Sequence, residues 1–463
     1  MSPQPRAAVE LARFIRELST ATVPPDVLER ARGCLLYGLG IGLLCMDEAY
    51  ARVAEAAWQA VDGTTSGPGA TAWRSGQRYG TATAAACNTV LMHSRCQEDT
   101  YGSAHLGIVV IPTALALIEA GYARPDQLIL SLVAGYEAAG ALERRLGRSS
   151  TALGFRASPL YGALAGAATA ARLLSLDEAQ TTAALANAAA FAGGTLQAIG
   201  DGTDEWRYQM AAATRRGLEA AFLARAGSRA TAAALDGTRG FAAAFARTAI
   251  DLPLKPGDPW ALRTVAFKPY PVCNRNQTVT TLAARIHDSQ DLSHIRHVRF
   301  RISPFVEHGM LERGPFDSVA GTLMSTYFSC AAALAYGTVS RAMLEVFDDA
   351  LTHVWIDRID IQPDEAVPYP SAHADIEYTD GRRDTVVLMR SFADYALPRK
   401  EVLALLTRLA RESSVDTALL QTLDAFAFDS AHKTIEPALS VFANARTARP
   451  SPHQEMVWTP PPR

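Results

Sequence analysis

Small apolar residues, chiefly alanine with leucine and glycine between, dominate the chain up to about residue 250. Alanine is the best helix former, so this pattern predicts a series of helices. A proline pair precedes the segment 26–36 and predicts a helix start there, because proline suits the first helical turn. Ser175 and Glu178 have the spacing of a capping box ahead of the alanine-rich run 179–192. Most of this half is therefore expected to be buried helical core.

The pattern changes near residue 252. The stretch 252–260 carries three prolines and a glycine, a composition typical of a domain boundary. Apolar and arginine residues alternate over 298–302, which predicts a half-buried strand, and 354–361 is a second strand candidate. Two further apolar runs flank an Asp-Gly pair within 374–388 and predict a hairpin. A helix over 319–334 lies between these strands, so the segment has an α+β pattern.

From about residue 399 the helical pattern returns, and it continues through 418–428. The tail from Arg449 contains five prolines and is expected to be loosely ordered. The order of these patterns predicts a mainly α fold. Its large all-helical domain is built from both chain ends, residues 1–255 and 400–463. A smaller α+β lid is inserted over residues 256–399.

Composition excludes several classes of protein. A chain of 463 residues with 49% hydrophobic and 20% charged residues is typical of a globular protein with two domains. The formal net charge of -3 provides no basic field, so we expect neither nucleic acid nor membrane as a partner. Six cysteines lack paired spacing, no apolar signal segment opens the chain, and no zinc motif is present. We therefore expect a cytoplasmic protein without a metal.

Three polar segments are candidates for chemistry. The segment 92–105 places two histidines, two carboxylates and a thiol between apolar helices, although a solvated loop is an equal alternative. The segment 204–209 opens a helix, and a capped surface start would explain it equally well. In 267–277 two prolines hold the backbone around Tyr270, and Lys268 and Arg275 place cations on either side, although a rigid interdomain turn with solvated charges is the alternative.

Taken together, these segments resemble the MmgE/PrpD family, which includes 2-methylcitrate dehydratase and cis-aconitate decarboxylase. The family pattern is approximately A-H-x-x-D-x-D-D-T followed by a histidine, and here it runs from His93 to Thr100 and then His105. A second family element, lysine-proline-tyrosine-proline-x-cysteine, stands at 268–273. The resemblance covers about residues 7–440 and identifies a divergent member. Other similar stretches are 135–137, 216–227, 235–237 and 240–241.

The resemblance implies the helical domain and inserted lid described above, usually as a homodimer. It also implies that no metal, flavin or nicotinamide is needed. The family site lies in the cleft between the domains, binds a polycarboxylate and moves protons at carbon next to a carboxylate. By position, His105 matches the central histidine of the family. Thr100 and Lys268 match site positions, and Tyr327 matches a tyrosine from the lid.

Three departures from the family pattern change this picture. The first loop aspartate is replaced by Cys96, and the motif Gly-Phe-His ends in Arg156. The lysine that often opens the helix near residue 206 is absent, and Arg207 stands in its neighbourhood. Arginine is a poor proton carrier but a good bidentate partner for a carboxylate. An anionic substrate is therefore expected, with proton chemistry different from methylcitrate dehydration or cis-aconitate decarboxylation.

The leading hypothesis is a cofactor-independent lyase or isomerase that transfers a proton at carbon activated by a carboxylate or imine. Dehydration, decarboxylation, epimerisation and an elimination-driven cyclisation share that step. One alternative is a small-molecule-binding protein that has lost catalysis on the same scaffold. Another is a hydrolase with Cys96 as its nucleophile.

The site hypothesis assigns a role to each candidate residue. His105 should transfer the proton, because imidazole titrates near neutrality. Asp99 or Glu98 should orient it, and the sequence does not distinguish between them. For Arg156 and Arg207, an ion pair with Asp204 or Glu205 is the alternative role. The other candidates are Lys268 and Tyr327 for catalysis, and Thr100, Cys96, Arg156, Arg207 and Tyr270 for substrate binding.

Overall fold

A computed structural model describes residues 6–447, so the proline-rich tail lies outside the described residues. Contacts within the chain form two compact units. The first unit contains residues 6–196, 204–267 and 396–447, and the second contains residues 197–203 and 268–395. Helices dominate the described residues, so the prediction of a mainly α fold is confirmed. An inserted lid concerns the arrangement of the two units and stays a prediction.

The first unit is helical except for one short pair of strands. Its strands, β1 (Ala70–Thr71) and β2 (Arg78–Tyr79), pair antiparallel. Its helices are α1 (Ala7–Glu17), α2 (Pro25–Leu44), α3 (Ala49–Asp62), α4 (Thr81–His93), α5 (Gly107–Glu119), α6 (Leu128–Ala152), α7 (Ala157–Leu173), α8 (Glu178–Phe191), α10 (Glu205–Arg225), α11 (Phe241–Ala246), α16 (Arg399–Glu412), α17 (Thr417–Phe428) and α18 (Glu436–Thr447).

Helix α7 is central to the first unit, where it packs against α5, α6, α8 and α10. Its crossing with α10 is close because both helices present small residues. A methyl group at Gly217 of α10 would overlap the carbonyl of Ala163 in α7. Helix α10 also packs on α4, so the first turns of α7 and α10 come near the end of α4. The C-terminal helices α16 and α17 pack on α2.

The second unit is built on a mixed sheet. Its helices are α9 (Gln197–Gly200), α12 (Gln277–Ser289), α13 (Val319–Met324), α14 (Thr326–Tyr336) and α15 (Ala350–Asp357). Its strands are β3 (Ile295–Ile302), β4 (Ile359–Pro363), β5 (Ala372–Tyr378) and β6 (Arg383–Leu388), in the order β4-β3-β5-β6. Strand β3 runs parallel to β4 and antiparallel to β5, and β5 forms the predicted hairpin with β6. Helices α12 and α14 pack together and on this sheet.

Three local predictions were wrong. The cap of α8 is Asp177, whose side chain accepts from the backbone of Gln180 at 2.8 Å, whereas Ser175 stands at φ +52° outside the helix. The run 354–361 is the end of α15 followed by β4, because a short apolar run is compatible with either structure. The helix expected over 319–334 is broken at Ser325, which caps α14.

A helix that crosses a membrane must be both long and apolar. Within residues 6–447, no single helix is both long and apolar enough. Helices α2 and α3 pass by length and composition only when they are joined across an 89° bend. The buried face of α2 runs through nearly its whole length, which is also typical of a core helix.

Candidate functional site

The polar loop between α4 and α5 is buried. From His93 to Thr100 no residue is more than 8% exposed, so the alternative of a solvated surface loop is excluded. The hydroxyl of Tyr37 donates to the carbonyl of Gln97, and Thr100 exchanges both backbone hydrogen bonds with Ala266 at 2.9 and 2.8 Å. Buried polar groups of this kind must be paired within the protein, and their partners hold the loop in place.

Asp99 connects the loop to the start of α5. Its Oδ1 accepts from the backbone of Gly107 at 3.1 Å, and its Oδ2 accepts from the hydroxyl of Tyr136. Gly107 is the first residue of α5, and a methyl group there would overlap the Asp99 carboxylate. Burial, together with the neighbouring Asp99 charge, raises the pKa of Tyr136 far above its usual range, so the hydroxyl remains a donor. Asp99 therefore stabilises the first turn of α5.

Glu98 lies between two histidines. Its Oε1 is 3.2 Å from Nδ1 of His93 and 3.2 Å from Nδ1 of His105. Nδ1 of His105 is also 3.1 Å from the carbonyl oxygen of Asp99. A carbonyl and a carboxylate only accept, so Nδ1 of His105 carries the proton and Nε2 is the basic nitrogen. Of the two carboxylates expected to orient His105, it is Glu98 whose side chain contacts the imidazole.

His93 is held as a neutral ring. Nη2 of Arg156 donates to its Nε2 at 2.8 Å, and because a guanidinium only donates, the ring proton must be on Nδ1. That N–H approaches Glu98 obliquely, so the two groups interact by charge rather than through an aligned hydrogen bond. Burial lowers the pKa of His93 to about 4, against the opposing effect of Glu98, and the ring is uncharged at neutral pH.

Arg156 precedes the first turn of α7 and is 4% exposed. Besides His93, it donates through Nη1 to the carbonyl of Trp206 in the first turn of α10. Its backbone N–H donates to the carbonyl of Gly194 at 3.1 Å. The guanidinium is therefore oriented by groups at the end of α4 and in the first turn of α10, and the Arg156 backbone is held by Gly194.

Arg207 is buried among aromatic rings. Its guanidinium lies 3.5 Å from the ring centre of Tyr50 and 3.9 Å from that of Trp206. The ion pair expected as an alternative role is present, since Nη1 lies 3.4 Å from Asp204. The Asp204 side chain is 56% exposed, however, so this pair is weak. Trp206 packs against the edge of His93, and its buried indole N–H has no acceptor among residues 6–447.

Cys96 forms the turn of the loop between His93 and Glu98. Its backbone stands at φ +53°, a conformation that is strained for a residue with a side chain, and its N–H donates to the carbonyl of His93 at 3.1 Å. The residue is 8% exposed and its sulfur forms no disulfide. Cys96 thus belongs to the turn that separates His93 from Glu98.

Three candidate residues belong to the second unit. The Tyr327 hydroxyl accepts from Nη2 of Arg313 at 3.0 Å and from the backbone of β4. The backbone of Tyr270 is held by both ends of the Gln277 amide, at 3.1 and 3.0 Å. Lys268 is 1% exposed. Their roles in binding or catalysis stay predictions from the family resemblance.

The site hypothesis gave no role to His93, although its side chain makes direct contacts in the site. Glu98 was named there only as one of two carboxylates expected to orient His105. The available signal was their place in the polar segment 92–105, which could not show the direction of either side chain. Among residues 6–447, no three His, Cys, Asp or Glu side chains are grouped to hold a metal ion.

The amino-acid sequence of this chain is similar to those of several known proteins. A cis-aconitate decarboxylase-like protein of Aspergillus oryzae is 29% identical over 49% of this chain and 48% of its own length. The cis-aconitate decarboxylase of Aspergillus terreus is 27% identical over 75% of this chain and 76% of its own. The cis-aconitate decarboxylase of Mus musculus is 29% identical over 59% of this chain and 57% of its own. The alignment thus spans only about half the length of some relatives.

A family model provides the remaining evidence. The model of the MmgE/PrpD N-terminal domain matches residues 9–251, slightly more than half of the chain. The matched range contains the buried loop, both of its histidines and Arg156. The named relatives are two cis-aconitate decarboxylases and one cis-aconitate decarboxylase-like protein. The resemblance inferred from the polar segments together is therefore confirmed, and this chain belongs to the MmgE/PrpD family.

Proposed function

We propose that this protein is a lyase acting on a small carboxylic acid, and that His105 transfers a proton at the carbon next to a carboxylate. The arrangement of His105 is the observation that carries the proposal. Its Nδ1 faces the Glu98 carboxylate and the Asp99 carbonyl, which makes Nε2 the proton acceptor. At 14% its side chain is more exposed than those of Glu98 and His93, at 1% and 0%.

The proposed reaction conserves every atom of the substrate. In a dehydration, Nε2 of His105 takes the proton from carbon and the electron pair of the broken C–H bond forms the double bond. The hydroxyl on the adjacent carbon then leaves as water, with the proton that Nε2 returns to it. In a decarboxylation, carbon dioxide leaves first, and the protonated Nε2 then delivers its proton to the same carbon. In both cases the imidazolium lies next to Glu98, which stabilises it without taking its proton.

An anionic substrate needs donors for its carboxylates. The indole N–H of Trp206 is buried without an acceptor in the described residues, and Arg207 is a buried cation stacked on the same ring. We propose that these two groups receive a substrate carboxylate. Imidazole and carboxylate groups supply the acid–base chemistry, so the proposal includes no cofactor. Dialysis against EDTA should then leave turnover unchanged.

Proton transfer at carbon can be measured directly. The wild-type protein is incubated in D₂O with a panel of di- and tricarboxylates, including cis-aconitate and 2-methylcitrate, and ¹H NMR follows deuterium incorporation and product. We expect exchange at a carbon next to a carboxylate. His105→Ala should lower the rate by about 100-fold or more with the fold intact, because a general acid–base contributes at least that much.

A matched variant separates the role of His105 from a general effect. His294→Gln changes a histidine whose side chain is 68% exposed and should retain the wild-type rate. Wild-type turnover in His105→Ala would contradict the proposed mechanism. Ligands that raise the melting temperature without any exchange or product would instead support the binding-protein alternative.

A further inference from the structure

Four side chains of the first unit form a continuous series. Nη2 of Arg156 is 2.8 Å from Nε2 of His93, Nδ1 of His93 is 3.2 Å from Oε1 of Glu98, and the same oxygen is 3.2 Å from Nδ1 of His105. The two inner groups, His93 and Glu98, are 0% and 1% exposed. The series therefore runs from a buried cation to the most exposed of its members.

We infer that Arg156, His93 and Glu98 act together as a positioning relay, which holds His105 with its proton on Nδ1 and presents Nε2 for proton transfer. The inference rests on the proposed function in that His105 is the reacting group. None of the three is a catalytic residue in this account, because each acts through the next. Arg156 is thereby moved from the predicted substrate contact to a positioning role.

Each contact in the relay has a defined direction. Arg156 only donates, so it fixes the lone pair of His93 on Nε2 and its N–H on Nδ1. The positive end of the His93 ring dipole then faces Glu98. The other tautomer of His93 would place the lone pair of Nδ1 3.2 Å from the carboxylate oxygen of Glu98, and the two would repel each other. Glu98 is in this way kept as an ionised acceptor for Nδ1 of His105.

The relay gives a physical reason for the arginine that stands at position 156 in place of the family's histidine. In the family pattern this position is a histidine, which donates or accepts according to its tautomer. Such a residue would permit both tautomers of His93, and therefore two charge distributions around Glu98. Arginine removes that choice because it has no acceptor. The substitution thus retunes the site through His93 while Arg156 moves no proton.

Other charged groups near the relay do not change this direction. Asp99 contributes its carbonyl to His105, while its carboxylate bonds to Gly107 and Tyr136. Arg207 acts on His93 in the same sense as Arg156, since both cations lower the pKa of that ring. Glu98 opposes them. The neutral state of His93 is therefore supported from α10 as well as from the start of α7.

The first experiment needs no substitution. Protein labelled with ¹⁵N-histidine is examined by NMR at pH 8, where the ring nitrogen shifts identify the tautomer of each neutral histidine. Free histidine side chains favour a proton on Nε2, so the relay predicts the opposite tautomer for both His93 and His105. A proton on Nε2 of either ring would overturn the inference, whether or not the protein has lyase activity.

The second experiment changes the relay and follows the titration of His105 in the substrate-free protein. Glu98→Gln is nearly isosteric and removes the negative charge, so the pKa of His105 should fall by about one unit or more. The acidic limb of the pH profile of kcat/KM should move to lower pH by the same amount. An unchanged His105 titration would show that Glu98 has only a structural role.

Arg156 provides a matched pair of variants. Arg156→Met leaves Nε2 of His93 without its donor, so we expect a second tautomer of His93 to appear and kcat to fall about tenfold. Arg156→Lys keeps a cation that only donates, and it should restore both the single tautomer and most of kcat. A single unchanged tautomer in Arg156→Met would contradict the relay. The tautomer readout concerns His93 alone, so it is separate from any failure to find a substrate.

Discussion

Glu98 and Asp99 are consecutive residues whose carboxylates contact different parts of the first unit. The side chain of Glu98 lies on the histidine side of the loop, where one oxygen contacts His93 and His105. That of Asp99 lies on the helix side, where it bonds to Gly107 and Tyr136. The bent backbone of the loop directs the two side chains to different neighbours, so one position serves the proposed chemistry and the next serves the fold.

The difference shows that two acidic residues in one motif are not interchangeable. Loss of the Glu98 charge should change how His105 titrates while the helices remain packed. Loss of the Asp99 carboxylate should instead expose buried donors at the start of α5. The predictions below test that division in order of expected size.

The largest effect is expected from Asp99→Ala. The substitution leaves the N–H of Gly107 and the hydroxyl of Tyr136 buried without this acceptor, at roughly 1–3 kcal/mol each. We therefore expect the free energy of unfolding to fall by about 4 kcal/mol, measured by urea denaturation. Asp99→Asn keeps one acceptor oxygen and should lose much less. An Asp99→Ala protein as stable as Glu98→Gln would remove the distinction between the two positions.

The next effect concerns the pH dependence of stability and a third buried carboxylate, that of Glu137. Its oxygens accept from the backbone N–H groups of Ala261 and Leu262 at 2.8 and 3.0 Å. Burial raises its pKa from 4.5 to about 7, so its contribution to stability is present below pH 4.5 and is lost as the pH rises towards 7. The pKa of His93 falls from 6.5 to about 4, so its contribution is present above pH 6.5 and is lost towards pH 4.

These two contributions oppose each other between about pH 4.5 and 6.5, and each amounts to about 3 kcal/mol at 1.36 kcal/mol per pKa unit. Removing one should reveal the other. In Glu137→Gln the free energy of unfolding should rise with pH across this window, and in His93→Gln it should fall. Chemical denaturation at a series of pH values measures both slopes. Identical slopes in the two variants would contradict the assignment.

A smaller effect is expected on the helix side of the loop. Tyr136→Phe removes the hydroxyl that donates to Asp99 but leaves the bond from Gly107 to Asp99 intact. A hydrogen bond to a charged group contributes about 1.5–3 kcal/mol, so the loss should be about 2 kcal/mol and less than in Asp99→Ala. The His105 titration should not move in this variant. A shift as large as in Glu98→Gln would mean that Asp99 also acts on the imidazole.

The smallest effect concerns the ion pair of Arg207. Asp204→Asn removes a carboxylate whose side chain is 56% exposed, so the free energy of unfolding should change by less than about 0.5 kcal/mol. A larger loss would show that Asp204, rather than the rings of Tyr50 and Trp206, holds the guanidinium in place.

Periodicity and composition predicted those features of the chain that depend on neighbouring residues. The helical first half, the strand β3, the hairpin of β5 and β6, and the C-terminal helices follow from local patterns, and all were confirmed. The cap of α8 and the strand placed over 354–361 were wrong, because several residues offer the same short pattern and tertiary packing selects among them.

The polar segment 92–105 was also recognisable from sequence, because such a cluster between apolar helices needs partners wherever it is buried. Its internal arrangement was not. Whether Glu98 or Asp99 contacts His105 depends on which side of the loop faces which helix, and the choice of His93 as the partner of Arg156 joins positions that are 63 residues apart. Side-chain directions and contacts between distant segments arise only when the helices pack, so they cannot be predicted from the local sequence pattern.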